Sequence, residues 1–299
     1  MNRSVLVMTA ALLLALTACS AQDPELETPM PDPAPAARPS AVAAAGTTLH
    51  VEQYGTGRPL LLVHGGGEDA AMLTAQARQL AEIGYRVITY DRRGTGGSGR
   101  EAWPGNGADQ HADDAAALLD ALDAAPAVVL GVSSGGVVAL ALAARHPDQV
   151  SRVVAWEPPA SGVLPDAEAA NAALMAPVQA HLQERPDDYV GAQAILLTEI
   201  LGFPVQVDDP AFAATRINAE PMIRDEPTIT LRPFDAGELR AVPVTVAVGT
   251  APNPLVGAAV ARLAELTGRA PVIVDGAEHE VYLSDPRVLT ALVGPPGPR

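Results

Sequence analysis

The stretch VVLGVSSGGVVALALAA, Val128 to Ala144, sets two adjacent serines between glycines, with an apolar run on either side. The run before them, AVVLGV from Ala127, is apolar throughout, the pattern of a strand buried on both faces of a sheet. The run after them, GGVVALALAARHP, has helical composition and is stopped by Pro147. Between the two lies GVSSG, Gly131 to Gly135, a G-x-S-x-G segment centred on Ser133. A sharp strand-to-helix turn forces its central residue into a strained backbone and crowds its neighbours, so glycine is needed two positions to either side. The helix N-terminus then faces the exposed hydroxyl and favours negative charge developing there. Ser134 does not fit this register, because Val132 stands where its glycine would be. Ser133 is therefore the candidate nucleophile.

The same alternation extends outward from this turn. TTLHVEQYG, PLLLVHGGG, RVITYD and RVVAWE have the pattern of strands, and TAQARQLAEIG (Thr74 to Gly84) and residues 108–124 that of helices. After a break, VPVTVAVG, PLVGAAVARLAELTG and APVIVDG resume the strand, helix, strand rhythm. This order predicts an α/β fold with a mostly parallel sheet flanked by helices. The break, residues 158–240, contains helical pieces and prolines and no strand pattern, which predicts a helical cap inserted into a core made of residues 46–157 and 241–299.

The N-terminal part has a different composition. MNRSVLVMTAALLLALTAC has an early arginine, an apolar run too short to span a bilayer, and small residues before Cys19, the layout of a signal peptide over residues 1–18. LTAC resembles the lipobox of bacterial lipoproteins, which implies lipidation at Cys19 and an extracytoplasmic, membrane-anchored protein, or otherwise a secreted one. Residues 19–45 are rich in Pro and Ala without apolar periodicity, and are expected to form a disordered tether. Cys19 is the single cysteine, so with cleavage before it the folded part holds no thiol for a disulfide or for catalysis. The net charge of −16 disfavours nucleic acid or an anionic membrane surface as a partner. A small-molecule substrate is the expected partner, with any membrane contact made through the N-terminal lipid alone.

Four segments in this order resemble the α/β-hydrolase family over residues 47–293. LLLVHGGGEDA (Leu60 to Ala70) is similar to its oxyanion strand and loop, and VITYDRRGTGGSG (Val87 to Gly99) to its Y-D-x-R-G-x-G-x-S segment. RHPDQVSRVVAWEPP resembles the end of the nucleophile helix with the following strand, and GAEHEVYLSDP the C-terminal histidine loop. The resemblance implies a serine hydrolase acting on an ester-like carbonyl through an acyl-enzyme, with no metal or organic cofactor. It further implies an oxyanion hole formed by the backbone N–H groups of Gly66 and Ser134.

Of six histidines, His279 has the context of the base, because it follows the last strand and comes after the serine in the chain. Its imidazole, with an ordinary pKa of about 6.5, can take and return a proton at neutral pH. His64 is expected to brace the oxyanion loop and His146 to end a helix; His50, His111 and His181 have surface or cap readings. The third member of the triad is open. The family usually places an acid after the strand VTVAVG, yet the residues that follow are TAPNPLVG, which hold none. Glu157, at the end of the preceding strand, is the first candidate; Asn253 or a dyad without acid is the second, and Asp275 the third. Asp91 and Arg92 in DRRG are expected to form an ion pair closing a loop. Two alternatives stand beside the ester hydrolase: a perhydrolase (haloperoxidase-like) or aminopeptidase-type enzyme of the same fold, and a non-catalytic ligand-binding protein.

Overall fold

The apolar runs become the strands of one sheet in the computed structural model, which describes residues 38–208 and 210–297. The signal peptide, Cys19 and most of the expected tether lie outside the described residues. Among the described residues, eight strands follow in chain order: β1 (Arg38–Ala44), β2 (Thr47–Tyr54), β3 (Arg58–Val63), β4 (Tyr85–Tyr90), β5 (Ala127–Val132), β6 (Val150–Trp156), β7 (Val244–Gly249) and β8 (Val272–Val274). Their spatial order is β1-β2-β4-β3-β5-β6-β7-β8. β1, β2 and β4 pair antiparallel, and every pair from β4 to β8 is parallel.

Alternate residues of the central strands feed two separate cores. Leu61 and Val63 of β3 and Val129 of β5 pack on one face, while Leu60, Leu62, Val128 and Leu130 pack on the other. The first face is covered by α2 (Ala108–Ala121), α3 (Ser134–Arg145) and α8 (Pro254–Thr267). The second is covered by α1 (Thr74–Glu82), α9 (Val281–Ser284) and α10 (Arg287–Val293). Covering on both faces is why β3 and β5 carry apolar residues at consecutive positions.

The span between β6 and β7 is helical: α4 (Ala167–Glu184), α5 (Tyr189–Leu201), α6 (Ala219–Thr230) and α7 (Ala236–Arg240). It has its own small core of Met175, Val178, Ala192, Leu196, Met222 and Ile223. Polar contacts tie α6 and the residues just after it to the sheet domain. Trp103 Nε1 donates to Asp225 at 2.6 Å, Arg232 Nε to Asp109 at 2.5 Å, and Arg92 Nη2 to Glu226 at 2.8 Å.

One expectation needs correction. Residues 38–44, assigned to a disordered tether, form β1, paired with β2 in unbroken register from Arg38 opposite Gln53 to Ala44 opposite Thr47. β1 is an edge strand of which Ala44 alone is buried, so it carries no apolar alternation, and an edge position tolerates Pro39. The hairpin closes through Ala45 and Gly46, both with positive φ (48° and 75°), the backbone of a tight two-residue turn. Asparagine adopts this conformation more readily than alanine. Ala45→Asn is therefore expected to raise stability by about 0.5–1 kcal/mol in urea unfolding, and an unchanged or lower midpoint would count against the hairpin.

Candidate active site

Every site residue sits at or beyond the C-terminal end of a parallel strand, where parallel sheets gather their loops. Ser133 follows β5 at φ 51°, ψ −128°, a conformation side chains rarely adopt. Its N–H donates to the Trp156 carbonyl oxygen at 2.9 Å, and its own carbonyl oxygen accepts from Gly136 N–H at 2.8 Å. The glycines are obligatory here. A Cβ on Gly131 would lie 2.1 Å from the Gly135 carbonyl oxygen, and one on Gly135 would lie 2.3 Å from that of Val63.

His279 lies in the loop beyond β8, where its carbonyl oxygen accepts from Trp156 Nε1 at 2.8 Å. Its Nε2 is 3.1 Å from Ser133 Oγ, and its Nδ1 is 2.6 Å from Glu157 Oε2. Glu157 follows β6, is 1% exposed, and also has positive φ (42°). Its other oxygen, Oε1, accepts from Gly249 N–H at 2.8 Å at the end of β7. A carboxylate on Nδ1 fixes the tautomer: Nδ1 carries the proton, and Nε2 is free to accept from the serine hydroxyl. Burial of the ring works against its charged form, but the Glu157 hydrogen bond and the charges of Glu280, Glu157 and Glu68 outweigh it. The net result is a His279 pKa raised above its ordinary 6.5.

The other two candidates for the acid are elsewhere. Asn253 is exposed and caps α8, its Oδ1 accepting from Leu255 N–H at 2.9 Å and its Nδ2 donating to the Ile200 carbonyl oxygen at 2.7 Å. Asp275 is exposed and accepts from Thr250 Oγ1 at 3.1 Å.

The loop after β3 abuts the Ser133 turn, since a Cβ on Gly65 would lie 3.1 Å from Ser133 Cβ. Ser134 is the first residue of α3, so its N–H has no partner within the helix. Its side chain is fully buried, and among the described residues its hydroxyl has no hydrogen-bond partner. Gly66 N–H belongs to a loop pinned from below. Gly65 N–H donates to Glu68 Oε2 at 2.7 Å, and Tyr282 O–H donates to Glu68 Oε1 at 2.7 Å. Burial raises the Glu68 pKa above 4.5 against those two hydrogen bonds. From the cap, Asn218 Nδ2 donates to the Glu68 carbonyl oxygen at 3.0 Å.

His64 is buried and braces this loop, with Nδ1 2.8 Å from the Gly65 carbonyl oxygen. Asp91 and Arg92 do not pair with each other. Asp91 accepts backbone N–H groups of Ala70 and Gly97, whereas Arg92 pairs with Glu226 and Arg93 with Asp114. His111 is buried rather than on the surface, 3.5 Å from Asp225 of the cap. His146 ends α3 against Asp113, and His181 and His50 lie beside Asp188 and Glu52.

Residues 58–203 match a family model described as alpha/beta hydrolase fold. A solved alpha/beta hydrolase from Sphaerobacter thermophilus aligns with a TM-score of 0.64 at 25% identity, over 85% of this chain and 100% of that one. The fold is the α/β-hydrolase fold. A thermophilic esterase from Thermogutta terrifontis shares it, with a TM-score of 0.63 at 24% identity over 86% of this chain and 97% of its own. In sequence, the chain is 43% identical over 114 residues to the uncharacterized hydrolase YraK of Bacillus subtilis, 38% of this chain and 42% of that protein. It is 37% identical over 115 residues to 2-hydroxymuconate semialdehyde hydrolase of a Pseudomonas species, 38% of this chain and 41% of that protein. The chain thus spans about two fifths of the length of these curated relatives.

Three contributors were not visible in the sequence: Gly249 N–H, which holds Glu157, Trp156 Nε1, which holds the histidine loop, and the Glu68–Tyr282 pair. The glycine ending VTVAVG was the available signal for the first. A Cβ there would lie 2.1 Å from the Ala277 carbonyl oxygen and 3.2 Å from Glu157 Oε1. By NMR titration the His279 ring should lose its proton above pH 6.5, and Glu157→Gln, which removes the charge favouring the imidazolium, should move that midpoint down. A midpoint that Glu157→Gln leaves in place would refute the pairing.

Proposed function

We propose that the chain is a serine hydrolase acting on an ester-like substrate through an acyl-enzyme. The observation that carries this reading is the continuous hydrogen-bonded line from Ser133 Oγ through His279 to Glu157, which begins at a strained turn and ends on a buried carboxylate. The hydrolases among its relatives support it at the level of reaction class.

In this reading, Ser133 Oγ attacks the substrate carbonyl as His279 Nε2 takes the hydroxyl proton. Glu157 keeps the ring oriented and stabilises its positive charge without itself accepting the proton. The carbonyl oxygen becomes an oxyanion and accepts hydrogen bonds from the N–H groups of Gly66 and Ser134. Collapse of the tetrahedral species expels the alcohol, which receives the proton from His279. Water then gives a proton to His279 and attacks the acyl group, and collapse of this second tetrahedral species releases the acid while His279 returns the proton to Ser133 Oγ. A serine at position 133, rather than a carboxylate, supports an acyl intermediate over the alkyl-enzyme route.

The test is a comparison of variants on an activated ester such as p-nitrophenyl acetate. Glu157→Gln should lower kcat by about a hundredfold or more, and Asn253→Ala should change it by less than about twofold. The acid limb of the rate profile should lie above pH 6.5, because protonated His279 cannot act as base. Equal losses in the two variants would remove Glu157 from its role.

A further inference from the structure

Two donors converge on the Gly65 carbonyl oxygen: His64 Nδ1 at 2.8 Å and Arg92 Nη2 at 3.1 Å. His64 Nε2 accepts the Arg92 backbone N–H at 3.1 Å, so the neutral ring carries its proton on Nδ1 and gives it to this carbonyl. Burial, reinforced by the Arg92 charge, holds the His64 pKa well below 6.5, which keeps the ring neutral. The carbonyl of Gly65 and the N–H of Gly66 belong to one planar peptide. Whatever holds the oxygen therefore aims the N–H, and a donor on the oxygen makes the N–H a stronger donor in turn.

The same guanidinium nitrogen also meets Glu226 Oε1, at 2.8 Å, on α6 of the cap. Arg92 is 2% exposed, and Glu226 lies directly over the loop: a Cβ on Gly66 would be 2.9 Å from its Cδ. A carboxylate placed there repels an oxyanion held by Gly66 unless a cation neutralises it. We propose that Arg92 is a positioning residue of the oxyanion hole. Its side chain, held between the Gly65 carbonyl and Glu226, orients and polarises the 65–66 peptide and cancels the charge that the cap brings beside it. The proposal rests on the serine-hydrolase reading above. It makes the seating of α6 a condition for a working hole.

The experiment measures kcat and KM on p-nitrophenyl acetate and the affinity of phenylboronic acid, whose tetrahedral adduct on Ser133 mimics the intermediate. Arg92→Met should lower kcat by about tenfold with KM within about twofold, less than the ~10²–10³ cost of deleting an oxyanion-hole donor. Boronate affinity should weaken by the same factor as kcat. Arg92→Lys, which keeps the charge and one donor, should fall between wild type and Arg92→Met. The double variant Arg92→Met/Glu226→Gln should recover about threefold of the kcat lost in Arg92→Met, because no unpaired carboxylate remains. The double variant also carries the test if the single one does not fold: its kcat and boronate affinity should lie below those of Glu226→Gln. Unchanged kcat in folded variants, or a rise in KM alone, would overturn the proposal. If wild type neither hydrolyses the ester nor forms a boronate adduct, the serine-hydrolase reading itself fails, and the proposal with it.

Discussion

The site depends on one backbone conformation, Ser133 at φ 51°, ψ −128°. Holding a non-glycine residue there costs of order 1–3 kcal/mol, so the surrounding structure has to over-determine it. It does so through β5, buried along its whole length, and through α3, whose residues from Ser134 to Ala143 are buried. The result is a hydroxyl set at the end of a rigid strand and the start of a rigid helix. Glu157 repeats the arrangement one strand over, with φ 42° at the end of β6 and both oxygens engaged. Two of the described non-glycine residues with positive φ are therefore the two ends of the same hydrogen-bonded line.

The sheet converts these local turns into a site. Parallel pairing of β3, β5, β6, β7 and β8 brings five C-terminal ends to one edge. The loop holding Gly65 and Gly66, Ser133, Glu157, its backbone partner Gly249 and the histidine loop each come from a different one. The cap closes over this edge and is fastened to it through Asn218 and Glu226, so its α6 helix is a wall of the site as well as a cover.

Much of this was legible in the sequence, for definite reasons. Strands buried on both faces print as continuous apolar runs, and a turn as tight as that at Ser133 leaves paired glycines as its mark. His279 was legible from its place after the last strand. Its carboxylate partner was legible only as one of three candidates: the loop after β7 holds no carboxylate, and Glu157 meets His279 across 122 residues because β6 lies beside β7. β1 was hidden because an exposed edge strand needs no apolar alternation. The partner of Arg92 was hidden because Glu226 comes from the cap, 134 residues away.

The most direct measurement is covalent labelling with a fluorophosphonate, followed by identification of the modified peptide. One equivalent should attach to Ser133 in the wild-type protein, none to Ser133→Ala, and the rate should fall steeply in His279→Ala. A folded wild-type protein that takes up no label, or a Ser133→Ala variant labelled as fast as wild type, would contradict the assignment of Ser133 as the nucleophile.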